Sequence, residues 1–260
     1  MSDLLAHDVA GDGEAVLLLH SGAADRRQWD GQWAALTARH RVVRPDLRGF
    51  GETPPPPEPG WSDSADLLAL LDALGIERVA VVGSSYGGRI ALELATVAPQ
   101  RVSQLLLLCA AYPGVQRTPA VEAFGEAEDA LLEAGDVEAA VALNVQTWLG
   151  PDATPAARDA LGEMQRRTFE IQLVADDDLD PVRPDVDAAT IEVPTVAFSG
   201  GQDLDLFQDV ARHLADVMPH ARLVELAWAG HLPGLERPEQ TGYLLLAELA
   251  APAEPADGKA

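Results

Sequence analysis

The stretch VVGSSYGGRI, residues 81–90, sets two adjacent serines between glycines directly after a short apolar run. RVAVVG (78–83) reads as a strand buried on both faces, and RIALELATVA (89–98) as a helix that Pro99 stops. A strand that becomes a helix over so few residues needs a tight turn. Gly-Ser-Ser-Tyr-Gly, residues 83–87, fits the spacing G-x-S-x-G only with Ser85 at the centre. Side chains at Gly83 and Gly87 would collide with neighbouring backbone in such a turn. Ser85 would then be held in a strained conformation with its hydroxyl exposed, and Ser84 would pack inside. The Tyr86 N–H would point from the helix start into the same space, where it can meet an oxyanion. A plain Gly/Ser-rich turn without chemistry matches the same letters, so the choice rests on the rest of the chain.

Outward from this turn, strand-like runs alternate with helical patterns. AVLLLH (15–20), RVVRP (41–45), VSQLLLLC (102–109), PTVAFSG (194–200) and ARLVELA (221–227) read as strands. Helical patterns run from Ser62 to Leu74 and over 207–217 and 238–250, and ETPPPPEPG (52–60) can only be an extended loop. Between 112 and 188 the alternation breaks into Ala-, Glu- and Asp-rich helical stretches near 119–134, 136–149 and 155–175. The expected architecture is α/β: a doubly wound, mostly parallel sheet with a helical insertion after the strand ending near Cys109. Residues 1–111 and 189–250 form the core, 112–188 the insertion, and 251–260 a disordered tail.

The net charge is −24, from 42 acidic against 18 basic residues, which argues against nucleic acid as a partner. One cysteine, Cys109, excludes an intrachain disulfide and any Cys-rich metal site, and it reads as a buried, inert thiol. No signal-like or membrane-spanning apolar run is present, so a cytoplasmic protein without a membrane partner is expected.

A serine hydroxyl is a weak nucleophile unless a base takes its proton. Of six histidines, His7, His40, His213 and His220 lie in polar settings, and His20 ends a strand before the serine. His231, in AWAGHLPGLERPE, follows a strand and precedes the last helix, which puts it at the same carboxyl edge of the sheet as Ser85. The base needs an orienting carboxylate. SGGQDLDLF (199–207), after another strand, offers both Asp203 and Asp205.

With these residues in place, the chain resembles the α/β-hydrolase superfamily over nearly its whole length. The resemblance rests on LLLHSG (17–22), DLRGFGET (46–53), GSSYGG (83–88), GGQD (200–203) and GHLPGLERPE (230–239). It implies that Ser85 is the nucleophile, His231 the base and Asp203 the acid, with Asp205 the runner-up. It also implies an oxyanion hole made by the backbone of Gly22 and Tyr86, with Ala23 in reserve. The family's His-Gly segment here reads His20-Ser21-Gly22, and His20 is taken as structural. Asp46, Arg48 and Gly51 are taken as bracing the site. The family often has two strands before the His-Gly segment, and this chain has room for one, at LAHDVA (5–10).

The implied activity is hydrolysis of a small carboxylic ester or lactone, without metal or organic cofactor. The insertion would be a lid, with Phe124, Trp148 and Phe169 among the residues facing substrate, beside Leu149, Met164 and Leu173. Arg166 and Arg167 could meet a substrate carboxylate or be salt-bridged at the surface. Cleavage of a C–C bond in a β-diketone or dienoate, a natural-product step, and a non-catalytic ligand receptor remain open on the same fold.

Overall fold

The computed structural model describes residues 4–56, 60–174 and 181–251. Seven strands form one sheet: β1 (His7–Ala10), β2 (Ala15–Leu19), β3 (Arg41–Pro45), β4 (Val79–Ser84), β5 (Val102–Leu108), β6 (Thr195–Gly200) and β7 (Ala221–Leu226). Their order is β1-β3-β2-β4-β5-β6-β7. Only β1 runs antiparallel to its neighbour, pairing His7 with Pro45 and Ala10 with Val42. It is the one strand before β2 among the described residues, and it falls within LAHDVA (5–10).

The central strands are continuously apolar because both faces are covered. Leu17, Leu19, Val81, Leu105, Leu107 and Ala197 point into one core, and Val16, Leu18, Val82, Leu106, Leu108 and Val196 into the other. Helices α2 (Asp63–Ala73), α3 (Tyr86–Val97) and α7 (Asp205–Val217) cover the first face. Helices α1 (Asp30–Thr37) and α9 (Pro238–Ala250) cover the second, with Trp29 fully buried beneath them. Each of these leucines contributes about 1.5–3 kcal/mol by leaving water.

The reading of the sequence did not include α1 or the short helix α8 (Pro233–Glu236). Helix α1 has almost no amphipathic pattern, since Trp33 and the Ala and Thr positions around it mix the two faces. Between β5 and β6 lie α4 (Pro119–Glu133), α5 (Val137–Trp148) and α6 (Pro155–Gln172), close to the three expected stretches. Pro119 and Pro155 start α4 and α6 where a missing N–H costs nothing. The 155–175 stretch ends at Gln172, and residue 175 lies outside the described residues. So do 57–59 of the proline loop and the tail from 252 onward.

Candidate active site

Ser85 stands between β4 and α3 with φ 51° and ψ −111°, a conformation that costs about 1–3 kcal/mol unless the surroundings impose it. The surroundings do. A Cβ at Gly83 would sit 2.5 Å from the Gly87 carbonyl oxygen, and one at Gly87 would sit 2.6 Å from that of His20. The Ser85 N–H donates to the Leu108 carbonyl, and its own carbonyl accepts from Arg89 and Ala111. Ser85 is partly exposed whereas Ser84 is fully buried, its hydroxyl without a partner among the described residues. The strained, partly exposed position is thus that of Ser85, and Ser84 packs inside the turn.

At the ends of β6 and β7, two loops bring Asp203 and His231 together. Asp203 Oδ2 accepts from His231 Nδ1 at 2.7 Å, and both residues are buried. This bond fixes the proton on Nδ1 and leaves Nε2 as the basic nitrogen. Asp203 Oδ1 accepts the Leu204 N–H at 2.7 Å. Asp205 points elsewhere: it is exposed and accepts from the Thr118 hydroxyl and the Leu206 N–H. Of the two carboxylates, Asp203 is thus the one that meets a histidine.

Gly22 and Tyr86 are neighbours, with 3.6 Å between a Cβ built on Gly22 and the Tyr86 Cβ. The reserve donor, Ala23, is already engaged, since its N–H donates to Ser21 Oγ at 3.0 Å. Serine in place of the family's glycine therefore closes a local turn. His20 is structural, as expected. Its Nδ1 donates to the Ser21 carbonyl and its Nε2 accepts the Leu47 N–H at 3.0 Å. Full burial pushes its pKa down, which suits a neutral ring with both nitrogens occupied. Asp46 braces the turn by accepting the N–H groups of Arg26 and Glu52 and the Arg26 guanidinium, while Arg48 pairs with Asp66 on α2.

Two supports were not foreseen from the sequence. Glu236, in α8, accepts the Gly230 N–H at 3.0 Å and so fixes the residue before His231; burial raises its pKa. The Tyr86 phenol donates to Asp63 at 2.9 Å and accepts from Arg183 at 2.9 Å. Burial pushes Asp63 up to about 6 and raises the Tyr86 phenol. Arg183 lowers both groups but less than burial raises them, and its own pKa is raised because Tyr86 and Glu93 outweigh the burial that lowers it. One signal was available: Glu93 interrupts an otherwise apolar helical run, RIALELATVA.

The helical segment meets the site through one residue in particular. The Trp148 carbonyl accepts the His231 N–H at 3.1 Å, and the two rings lie 4.7 Å apart. Phe207 lies 4.1 Å from the His231 ring, and Phe124 stacks edge-on against Trp148 at 4.6 Å. Leu149 and Met164 join this cluster with Leu232. Phe169 does not. It packs with Ala140 and Val141 in a separate core inside the helical segment, because its position on α6 faces α5. Leu173 is exposed. Arg166 makes a forked pair with exposed Glu138, and Arg167 donates to the Gly51 carbonyl and lies beside Glu170.

Cys109, at φ 46°, is buried behind the pair, and its thiol approaches the Gly230 carbonyl at 3.7 Å. Among the described residues, Cys109, Asp203 and His231 form the one set whose ligand atoms lie close enough, within 4.8 Å, to share a cation. Their chemistry is that of a hydrogen-bonded chain. Nδ1 and Oδ2 already face each other as donor and acceptor, and burial drives the thiol well above its ordinary pKa, whereas a ligating cysteine is a thiolate. No helix among the described residues is long and apolar enough to cross a membrane.

Comparison with known proteins bears on the fold and the family. The family model described as alpha/beta hydrolase fold matches residues 14–238. A chain from Pseudomonas savastanoi pv. phaseolicola with the provisional name carbamate hydrolase RutD is 29% identical over 243 residues, 86% of this chain and 89% of that one. A thermophilic esterase from Thermogutta terrifontis superposes with a TM-score of 0.80 at 24% identity, covering 94% of this chain and 92% of that one. The enol-lactonase from Burkholderia xenovorans superposes with a TM-score of 0.76 at 24% identity, covering 95% and 96%. At these identities the two superpositions establish the fold.

Proposed function

Since the chain belongs to the alpha/beta hydrolase fold family, we propose that it is a serine hydrolase cleaving a small carboxylic ester or lactone through an acyl-enzyme on Ser85. The observation that carries this reading is the buried 2.7 Å bond from His231 to Asp203, at the same sheet edge as the left-handed Ser85 turn. Ser85 Oγ attacks the acyl carbon while His231 Nε2 takes its proton. The tetrahedral oxyanion accepts the N–H groups of Gly22 and Tyr86, each worth a few kcal/mol. His231 then passes the proton to the leaving alkoxide, and the ester C–O bond breaks. Water attacks the acyl-enzyme with His231 again as base, which releases the acid and restores Ser85. Asp203 holds the Nδ1 proton in place and stabilises the imidazolium at each stage.

Residues 112–188 act as a lid in this reading. Trp148 and Phe124 line the substrate side, with Phe207 and Leu232 from the core opposite them. These walls are apolar, which suits a short acyl or alcohol group without charge. Phe169 serves the lid's own packing.

The test is turnover of p-nitrophenyl acetate by Ser85→Ala and Ser84→Ala. Ser85→Ala is expected to lose at least about 10³-fold in kcat. Ser84→Ala removes a buried hydroxyl without a partner and is expected to retain a substantial rate. The opposite pattern would overturn the assignment.

A further inference from the structure

We propose that Arg183 is a positioning residue that latches the segment leaving the helical insertion onto the oxyanion donor, acting through the Tyr86 phenol. The inference rests on the serine-hydrolase reading above, in which the Tyr86 amide receives the oxyanion.

Arg183 lies between α6 and β6, on the path by which the chain returns from the insertion to the sheet. That path is docked, since the Val182 N–H donates to the Trp61 carbonyl at 2.8 Å. The guanidinium faces three side chains on two helices, Tyr86 and Glu93 on α3 and Asp63 on α2. Nη2 donates to Tyr86 Oη at 2.9 Å, and Nη1 donates to Glu93 Oε1 at 3.0 Å and lies 3.6 Å from Asp63 Oδ2. Its carbon also sits 5.2 Å from the centre of the Tyr86 ring. Tyr86 Oη donates in turn to Asp63 at 2.9 Å, so the phenol is held at both its donor and its acceptor. Arg89 completes the set by donating to Glu93 at 3.1 Å.

Two carboxylates with side chains only 2% exposed are an expensive way to hold three segments together. Buried ion pairs of this kind usually add little net stability compared with apolar packing. What the cluster does supply is a fixed place for one side chain. Tyr86 is the first residue of α3, so its ring and its N–H share one short, stiff connection. Its Cβ is also the nearest atom to the open face of Gly22, which carries the other donor. The Phe50 ring lies tilted to it with centroids 6.0 Å apart. A phenol that drifts would therefore disturb both amides. The latch makes the geometry of the oxyanion hole depend on whether the segment at Val182–Arg183 is seated.

The test compares Tyr86→Phe, Arg183→Lys, Arg183→Gln and the double variant Tyr86→Phe/Arg183→Gln on p-nitrophenyl acetate, with thermal melts alongside. Tyr86→Phe keeps the ring and the backbone N–H and removes only the link. It is expected to lower kcat about ten-fold with KM within about two-fold, as for a donor displaced rather than deleted. Arg183→Gln is expected to match that loss and Arg183→Lys to recover part of it. The double variant is expected to fall no further than Arg183→Gln, because both changes cut one chain of bonds. A lower melting temperature with kcat unchanged in both Tyr86→Phe and Arg183→Gln would mean a purely structural cluster and would overturn the proposal. So would losses that simply multiply in the double variant. Should Arg183→Gln fail to fold, the kcat and KM of Tyr86→Phe decide the matter alone. Ser85→Ala, run in parallel, separates the two levels. If it retains turnover, the serine-hydrolase reading fails. If it is inactive while Tyr86→Phe matches the parent chain in kcat, only the latch fails.

Discussion

The serine turn and the histidine loop lie at the same edge of the sheet and are held by opposite means. Backbone against backbone fixes the turn at Ser85, where Gly83 and Gly87 leave no room for a side chain. Side chains and a carbonyl fix the His231 loop: the Trp148 carbonyl and Asp203, from the loop after the adjacent strand β6, hold His231, and the Glu236 carboxylate holds the Gly230 N–H before it. The first arrangement is local and stiff. The second depends on the helical insertion being in place. Under the proposed mechanism the nucleophile is set by the fold alone, and the base in part by the helical insertion through the Trp148 carbonyl.

That contrast breaks most visibly on the histidine side. Asp203→Asn is expected to lower kcat on p-nitrophenyl acetate by about 10⁴-fold, because the amide no longer enforces the Nδ1–H tautomer. Asp205→Asn, on the exposed carboxylate that Thr118 binds, is expected to stay within about two-fold. Equal losses in the two variants would remove the distinction drawn between them.

On the serine side the corresponding break is steric. Gly87→Ala sets a Cβ against the His20 carbonyl and is expected to destabilise the fold by about 3 kcal/mol, read from the urea midpoint. A Gly87→Ala chain as stable as the parent would mean that the turn is less constrained than the structure indicates.

The buried charges behind Tyr86 give the next largest effect, and its sign can be worked out. Burial raises Asp63 from 3.8 to about 6, with Tyr86, Arg183, Glu93 and Asp66 facing it. Between these two values the folded chain binds more protons at Asp63 than the unfolded chain. Stability from this group is therefore fully present below about pH 4 and is lost as pH rises through about 6, on the order of 3 kcal/mol. Measured as the difference between parent and Asp63→Asn in urea unfolding, it should fall over that window. A flat or rising difference would contradict the buried, underpaired state of Asp63.

The smallest effect belongs to Glu236→Gln, which keeps an acceptor for the Gly230 N–H but loses the charge. About 1 kcal/mol of stability should go, with a modest fall in kcat as the histidine loop loosens. An unchanged kcat would confine Glu236 to packing α8.

The same contrast explains what the sequence alone could yield. Apolar runs located β2 to β6 because both faces of the sheet are buried there, and β7 at the edge by its pattern, whereas β1 was placed only through the resemblance; the spacing of Gly83, Ser85 and Gly87 carried the turn because its geometry is local. His231 and Asp203 were placed by their positions after strands. The bonds that hold them are less legible: the Trp148 carbonyl comes from far away in the chain, and Glu236, although it stands within the GHLPGLERPE stretch itself, carries no local pattern that marks its bond to the Gly230 N–H. Phe169 illustrates the limit: its apolar character and helical setting match those of Trp148, yet it faces α5 rather than His231. Arg183 was invisible for a similar reason, since three of its contacts lie some 90 or more residues earlier.

The central claim is that Ser85, and not Ser84, is the nucleophile activated by His231. Labelling the folded protein with a fluorophosphonate and mapping the modified peptide tests it most directly. The prediction is one label per chain, on Ser85, with labelling slowed strongly in His231→Asn. A label on Ser84, or none on the folded chain, would contradict it.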